Sequence, residues 1–363
     1  MDCGKRKKET GHALAQMSAL ELRELAAKVM PYLPNMKRMS RVELCKALYP
    51  YIPSTANGRA SNKGSKEVPT LFLKNHANSC YVDSTLIALL AVDSKWVVET
   101  LLKAKLNHED PDAMDLAIHL RQYLRDLYTK LRVPQTPVTT GSMTTCTPFR
   151  KMLKELSRKL RIADGIDWTR EQNDPVDLIH ALSEILQINP DIAIRPHGIM
   201  QYQKRGFNQI QVPSSMLYKY KQRKHTIHIG KSLFPRVAEL GGDTYYRVEK
   251  VGKHPALYIE VNRAYYNDSK LETCVKSESV LRVPDGHLLK LASIIVHRGD
   301  SSSSGHYMCV FYRPSLGWVL YDDLRDEYKV IGKSLKSVWE YKNKRIQKHA
   351  VGYFYVDTSN ITI

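Results

Sequence analysis

The feature that most constrains the fold of this 363-residue chain is a change of hydrophobic periodicity along it. Residues 80 to about 190 carry apolar runs at helical spacing, whereas beyond about 225 apolar and polar residues alternate between Gly, Asn and Asp turns. Helices first and strands later predict a segregated α+β domain. The predicted helical runs are 81–92, 113–131, 152–160 and 175–186.

The first fifth of the chain predicts a separate, smaller piece. Within residues 17–49, apolar residues at helical spacing follow Ser18 and again Ser40, which indicates two helices capped by serine and joined as a hairpin. Residues 53–66 consist of turn-forming, polar and small side chains, which is typical of a flexible linker. We therefore predict a basic segment at 1–52, a linker at 53–67 and a main domain at 68–363.

Positive charge is concentrated at the amino terminus. The whole chain carries a net charge of +18, and residues 1–66 contain 13 Lys and Arg against 5 Asp and Glu. This density is typical of a nucleic-acid-binding arm, and Lys5-Arg6-Lys7-Lys8 could equally be a nuclear import signal or a solvated end. The pattern Leu22-x-x-Leu25 and the basic residue before Glu43-Leu44 resemble the SAP motif, a two-helix DNA-binding module. A hairpin that packs on its own protein or on a partner is the alternative.

Membrane and disulfide signals are weak in this sequence. No apolar run approaches the roughly 18 residues of a membrane span, and the first residues lack the apolar stretch of a secretory signal. The six cysteines contain no Cys-x-x-Cys pair, which argues against a zinc ribbon and against a disulfide framework. We expect an intracellular protein without membrane contact, in the reducing environment of the nucleus or cytoplasm.

Two distant stretches carry the parts of a thiol hydrolase. Cys80 opens an apolar helical run, and His306 lies sixteen residues before Asp322. A free thiol has a pKa of about 8.5, so a nucleophilic cysteine needs an imidazole or a helix amino terminus to favour its thiolate. We predict that Cys80 has both. Asn75, five residues upstream, can direct its amide at the oxyanion of a tetrahedral intermediate.

The histidine half predicts a β-hairpin. Residues 305–312 alternate as a strand, residues 313–315 supply a turn, and residues 316–322 return. With a three-residue loop we expect His306 to pair directly across from Asp322, so that the carboxylate holds one imidazole nitrogen. A register change of one residue would bring Asp323 there instead.

Taken together, these motifs resemble those of the ubiquitin-specific proteases. The cysteine box is similar in Asn75-x-x-Asn78-Ser79-Cys80-Tyr81, and the histidine box in Gly305-His306-Tyr307 with Trp318-x-x-Tyr321-Asp322-Asp323. Residues 172–178 resemble the family's Gln-Gln-Asp element, and residues 255–263 and 289–300 resemble its strands before the histidine box. The resemblance covers about residues 68–357 in the family's order.

The resemblance implies a papain-like fold with a helical thumb and an antiparallel β palm. The family's fingers usually carry two Cys-x-x-Cys pairs, but residues 192–250 contain no cysteine here, so we expect fingers that are short or absent and free of zinc. It implies hydrolysis after the carboxyl-terminal Gly-Gly of ubiquitin, without cofactor or metal. Cys80 would be the nucleophile, His306 the base, Asp322 the orienting carboxylate, Asn75 the oxyanion donor and Asp323 an auxiliary group. The substrate-binding residues would be Asp174, Asp177, Gly305 and Tyr307, the two aspartates holding the arginine-bearing tail of ubiquitin.

The sequence also departs from the family, and alternatives remain open. Ala77 stands where the family often has glycine, and Asp83 where it usually has asparagine. A protease of the same fold could act on another ubiquitin-like modifier or on a polyprotein. A non-catalytic protein that binds DNA or ubiquitin is the third reading. Taken singly, each of the three reacting residues could also be an ordinary core or strand residue.

Overall fold

The computed structural model describes most of the main domain and two amino-terminal helices. Its contacts divide the chain into two compact units, residues 1–71 with 124–143 and residues 72–123 with 144–363. The predicted linker at 53–67 and the basic run at 5–8 lie outside the described residues. The described residues are 18–29, 38–48, 71–103, 105–132, 143–163, 165–188, 192–197, 209–230, 245–251, 253–264, 266–282, 288–301, 304–325, 328–341 and 345–357.

The first unit contains the two predicted helices, α1 (Ala19–Val29) and α2 (Arg41–Leu48), which pack against each other. Both begin with a capping box, in which the serine hydroxyl accepts from the backbone of the third residue and the glutamate there accepts from the backbone of the serine. The distances are 3.2 and 2.7 Å for Ser18 with Glu21, and 3.3 and 2.7 Å for Ser40 with Glu43. The helices and both caps are thus confirmed, while the SAP resemblance stays a prediction.

The sequence did not predict that one cysteine of this unit forms a disulfide. Cys45, fully buried in α2, is disulfide-bonded. Cysteine spacing along the sequence gave no sign of this bond, because pairing depends on where the chain brings two thiols together. Cys80, Cys146, Cys274 and Cys309 are free thiols.

The helices beyond residue 71 follow the predicted periodicity. The four predicted runs between 81 and 186 all appear, with ends that differ from the predicted ends by up to five residues. A π-helical turn at Trp96–Leu101 and a 3₁₀ turn at Tyr266–Asp268 lie between longer elements. The α-helices are α3 (Cys80–Leu90), α4 (Pro111–Lys130), α5 (Thr147–Leu160), α6 (Pro175–Ile185), α7 (Ser214–Gln222), α8 (Leu335–Trp339) and α9 (Ile346–His349).

The described strands are β1 (Phe72–Leu73), β2 (Met143–Thr144), β3 (Ile192–His197), β4 (Gln209–Val212), β5 (Ile227–His228), β6 (Tyr245–Val251), β7 (Ala256–Val261), β8 (Val275–Lys276), β9 (Val280–Arg282), β10 (Leu288–Arg298), β11 (His306–Arg313), β12 (Gly317–Tyr321), β13 (Lys329–Gly332) and β14 (Ala350–Asp357). The largest sheet runs β13-β12-β11-β10-β14-β7-β4, with β9 also paired to β10. β3 and β6 form a separate antiparallel ribbon.

The palm differs from the prediction in one respect, since β4 pairs with β7 in parallel while the other pairs of this sheet are antiparallel. A parallel pair requires a crossover rather than a hairpin, and α7 lies within the connection between these two strands. The α+β class is confirmed.

Helix α3 lies entirely within the second unit. All eleven of its residues are buried, and it packs against β10, β11 and α6. Ser293 of β10 donates to the carbonyl of Ala88 at 2.8 Å, which ties the helix to the sheet. The first residue of α3, Cys80, is therefore held rigidly beside the start of β11. Among the described helices, none is long and apolar enough to cross a bilayer.

Candidate active site

Cys80 lies at the amino terminus of α3, with only 3% of its surface exposed. Burial raises the pKa of the thiol to about 11, and the negative charges of Asp323 and Asp83 add to the rise. Hydrogen bonds from the backbone N–H groups of Tyr307 and Tyr81 to the sulfur lower this pKa. Burial thus disfavours the thiolate in the free protein, because loss of hydration outweighs the groups that stabilise the anion, and the activated thiolate stays a prediction.

His306 is the first residue of β11 and is partly buried. Its Nε2 lies 2.8 Å from Oδ1 of Asp322, whose side chain is 5% exposed, and 3.4 Å from Oδ1 of Asp323. With Nε2 engaged by the carboxylates, Nδ1 is the nitrogen left for a thiol. Cys80 is close, since its sulfur interacts with the backbone of Tyr307, the next residue along the strand.

The predicted strand register is wrong. Cys309 pairs with Tyr321 and Arg313 with Gly317, so Asp322 lies one residue beyond the ladder and does not pair across from His306. His306 itself pairs with Arg298 of β10. Asp322 reaches the imidazole from the turn that follows β12, and the predicted proximity holds although the predicted pairing does not.

Asp323 is buried beneath the imidazole. Burial raises its pKa to about 7, the charge of His306 lowers it, and the charges of Asp83 and Asp322 raise it further. Asn75 lies close enough to Asp323 to stabilise its carboxylate form. Within the described part of the chain, however, neither carboxylate oxygen of Asp323 has a hydrogen bond of ordinary geometry. The candidate oxyanion donor thus contacts the acidic side of the site.

A second buried carboxylate, Asp83, lies one turn into α3. Burial raises its pKa to about 6, while hydrogen bonds with Cys146 and Ser79 and the charge of Arg150 lower it. The hydroxyl of Ser79 donates to Asp83 Oδ2 at 2.5 Å and accepts the N–H of His76 at 2.9 Å. Asp83 therefore fixes the segment that leads into Cys80.

Arg150 completes this network from the first turn of α5. Its guanidinium donates to the carbonyls of His76 at 2.8 Å, Ala77 at 2.9 Å and Trp168 at 2.5 Å. The sequence analysis did not identify Arg150. A signal was present, because Arg150 stands three residues before the buried Leu153 and so lies on the same apolar face of α5. A charge on such a face indicates a buried partner.

The two predicted tail-binding aspartates lie at the start of α6. Asp174 caps that helix by accepting the N–H of Val176 at 2.9 Å, and its side chain is open to solvent. Although the residue is exposed, desolvation by the surrounding protein raises the pKa of its carboxyl, and the charges of Glu260 and Asp177 add to the rise. Both aspartates also act electrostatically on Tyr307, so this acidic cluster lies near the thiol.

Gly305 precedes His306 at the end of the β10–β11 connection. A Cβ at this position would meet the carbonyl oxygen of Arg298 and the ring of His297, which packs against the tilted ring of Tyr307 with ring centroids 4.4 Å apart. Lys270 donates to the carbonyl of His297 from the far side. The position therefore needs glycine because the backbone and an immobilised ring occupy the space of a side chain.

Three donor atoms in this site could hold a metal ion. Within the described residues, one atom each from His306, Asp322 and Asp323 lie within 4.8 Å of one another. The same atoms already engage each other through the His306–Asp322 hydrogen bond of 2.8 Å. A metal would have to displace that bond, so the arrangement favours an oriented imidazole.

Comparison with known proteins identifies the family of this chain and confirms the expected papain-like fold. The family model for ubiquitin carboxyl-terminal hydrolases matches residues 72–355, which is more than half of the chain and spans every candidate site residue. Among curated proteins, none matches the chain.

Proposed function

We propose that this chain, which belongs to the ubiquitin carboxyl-terminal hydrolase family, is a deubiquitinating thiol hydrolase that cleaves after the carboxyl-terminal Gly-Gly of ubiquitin. The family is that of cysteine-type ubiquitin hydrolases, acting on ubiquitin or ubiquitinated proteins. The observation that carries the finer proposal is the 2.8 Å bond from His306 to Asp322, beside a cysteine whose sulfur interacts with the backbone of Tyr307.

The proposed reaction begins with proton transfer from the sulfur of Cys80 to Nδ1 of His306. Asp322 stabilises the resulting imidazolium through Nε2, which offsets the burial that disfavours the thiolate. The sulfur attacks the carbonyl carbon of the terminal glycine, and the oxyanion accepts from the Cys80 backbone N–H and from Asn75. His306 then protonates the departing amine, and water, deprotonated by the same imidazole, hydrolyses the thioester.

The acidic cluster supports a basic substrate tail. Asp174, Asp177 and Glu260 interact electrostatically near Tyr307, in a chain whose net charge is +18. Carboxylates can bind arginine in a bidentate way, which orients a tail as well as attracting it. We therefore assign substrate binding to Asp174 and Asp177, with Gly305 and Tyr307 flanking the path to the thiol.

Cleavage of a ubiquitin–fluorophore conjugate tests the reaction. Cys80→Ala should abolish turnover without loss of folding, and Cys274→Ala, which removes another free thiol, should retain it. A carboxyl-terminal ubiquitin electrophile should form an adduct that mass spectrometry locates on Cys80. Turnover by Cys80→Ala would reject Cys80 as the nucleophile. If only probes built on other ubiquitin-like modifiers label the protein, one of those modifiers is the substrate and ubiquitin is not.

Two charge-neutral variants test the tail site. Asp174→Asn keeps a good helix cap while removing the charge, and Asp177→Asn removes the neighbouring charge. Each should raise KM for the ubiquitin conjugate about 10-fold with little change in kcat, by loss of a charge-assisted pair. An unchanged KM in both variants would reject the tail assignment and leave the thiol assignment intact.

A further inference from the structure

We propose that Arg150 is a positioning residue that holds the 75–79 loop in the shape that oxyanion stabilisation requires. This inference rests on the proposed function for its chemistry, but its structural part can be tested without substrate. Arg150 does not touch the reacting atoms. It acts through the loop that carries Asn75 and leads into Cys80.

The contacts of the guanidinium are all directed at backbone. Arg150 is 2% exposed, and three of its donors bind the carbonyls of His76, Ala77 and Trp168 at 2.8, 2.9 and 2.5 Å. A planar fork can bind diverging carbonyls at fixed angles, which a lysine ammonium cannot do. A buried charge used in this way fixes the direction of two successive peptide groups of the loop.

Those peptide groups belong to a strained backbone. Ala77 and Asn78 have φ of 50° and 60°, a region that non-glycine residues adopt only when their surroundings enforce it. In a trans peptide the N–H points opposite to the carbonyl, so the N–H groups of Ala77 and Asn78 face away from the guanidinium. Without the carbonyl contacts, nothing in the preferences of alanine would hold this conformation.

The charge of Arg150 is balanced inside the same network. Asp83 is fully buried, and the charge of Arg150 favours its ionised form. Asp83 accepts from Ser79, which in turn accepts the N–H of His76. The positively charged Arg150 thus holds the loop through its carbonyls, and the negatively charged Asp83 holds it through Ser79.

Arg150→Lys, compared with Arg263→Lys, tests the inference. Arg263 is also buried and donates to the carbonyls of Ala350, Leu271 and Thr273 at 2.7, 2.7 and 3.0 Å, but it lies just after β7 and none of these carbonyls belongs to the 75–79 loop. We expect Arg150→Lys to lower kcat about 10- to 100-fold with KM within about twofold, because donors misplaced by about 1 Å lose that much. Arg263→Lys should lose stability while keeping kcat.

Two further measurements separate positioning from general stability. Hydrogen exchange of the amides of residues 76–80, measured on free protein at a temperature where both variants are folded, should accelerate at least tenfold in Arg150→Lys and remain unchanged in Arg263→Lys. Adding Ala77→Gly to Arg150→Lys should recover part of kcat, because glycine adopts positive φ without strain.

The outcomes are distinguishable from those of the proposed function. Wild-type protein that cleaves no ubiquitin substrate rejects the proposed function, while the exchange experiment still tests the loop. Four results would each overturn the positioning role. They are unchanged exchange at residues 76–80, equal loss of kcat in both arginine variants, absence of rescue by Ala77→Gly, and unfolding of Arg150→Lys but not of Arg263→Lys.

Discussion

The two ring nitrogens of His306 have different environments and different proposed roles. Nε2 lies 2.8 Å from Asp322 and 3.4 Å from Asp323, so both carboxylates favour a proton on that nitrogen. A ring that is protonated at Nε2 presents a lone pair at Nδ1, which is the form a general base requires. The shorter contact supports our proposal that Asp322 is the main orienting group, and the longer one makes Asp323 a second source of negative charge.

Substitution of Asp322 should separate orientation from charge. Asp322→Asn can still accept from Nε2 through its amide oxygen, so we expect kcat to fall about tenfold. Asp322→Ala removes the acceptor and should cost roughly 10²- to 10³-fold. Steady-state cleavage of a ubiquitin–fluorophore conjugate measures both values. Equal losses in the two variants would contradict a role based on accepting this hydrogen bond.

The thiol of the free protein should show the pH dependence of a buried, neutral cysteine. Because burial raises the pKa of Cys80 to about 11, the thiolate fraction should grow about tenfold per pH unit throughout the range from 7 to 9. The rate of iodoacetamide labelling, followed at Cys80 by peptide mass spectrometry with Cys274 as the internal comparison, should rise in proportion. A rate that is already constant from pH 6 upward would instead reveal a preformed thiolate–imidazolium pair.

The start of β11 shows how an element depends on a single backbone position. Any side chain at Gly305 would collide with the carbonyl of Arg298 and with the ring of His297. Gly305→Ala should therefore displace His306, lowering kcat at least tenfold and destabilising the protein by about 1–3 kcal/mol. Gly165→Ala is the matched control, since that glycine also has positive φ, at 92°, but open space around its Cβ position. It should lose stability only, as judged by thermal unfolding and turnover, and retained kcat in Gly305→Ala would disprove the steric argument.

Element positions were predictable from the sequence to different degrees. Apolar spacing predicts α3 and α6 closely, because one buried face imposes the period. The pairing of β11 with β12 was predicted wrongly, because register depends on which residues form the turn. The ladder closes at Arg313–Gly317, and Gly317, with φ of 86°, ends the turn. An alternating pattern alone cannot distinguish such a turn from one placed a residue earlier.

At the scale of the whole molecule, motifs predict which residues meet but not what surrounds them. Cys80, His306 and Asp322 were identified by residue type and order. Burial of Cys80 reverses the expected direction of its pKa shift, and that burial arises from α3 packing on the sheet. The link from Arg150 to the 75–79 loop likewise depends on a contact between residues more than 70 positions apart. Such effects belong to the tertiary structure, and the local sequence indicates at most that a buried partner exists, as the charge of Arg150 on an apolar helix face does.

The uneven charge of the whole chain leads to a final prediction about nucleic acid. If the basic segment at 1–52 binds DNA, affinity should fall steeply with salt, because each phosphate contact releases a counterion. Replacing Lys5, Arg6, Lys7 and Lys8 by alanine should reduce the slope of log affinity against log salt by about 3 to 4, in fluorescence anisotropy with the full chain. A control with the same net charge replaces four exposed lysines of the second unit, Lys105, Lys151, Lys253 and Lys336.

Since long-range attraction depends on total charge, both variants should lose some affinity at low salt. Only direct phosphate contact by the amino-terminal run changes the slope. Equal slopes in the two variants would therefore assign this run to solubility or import, and leave the chain with ubiquitin as its one expected macromolecular partner.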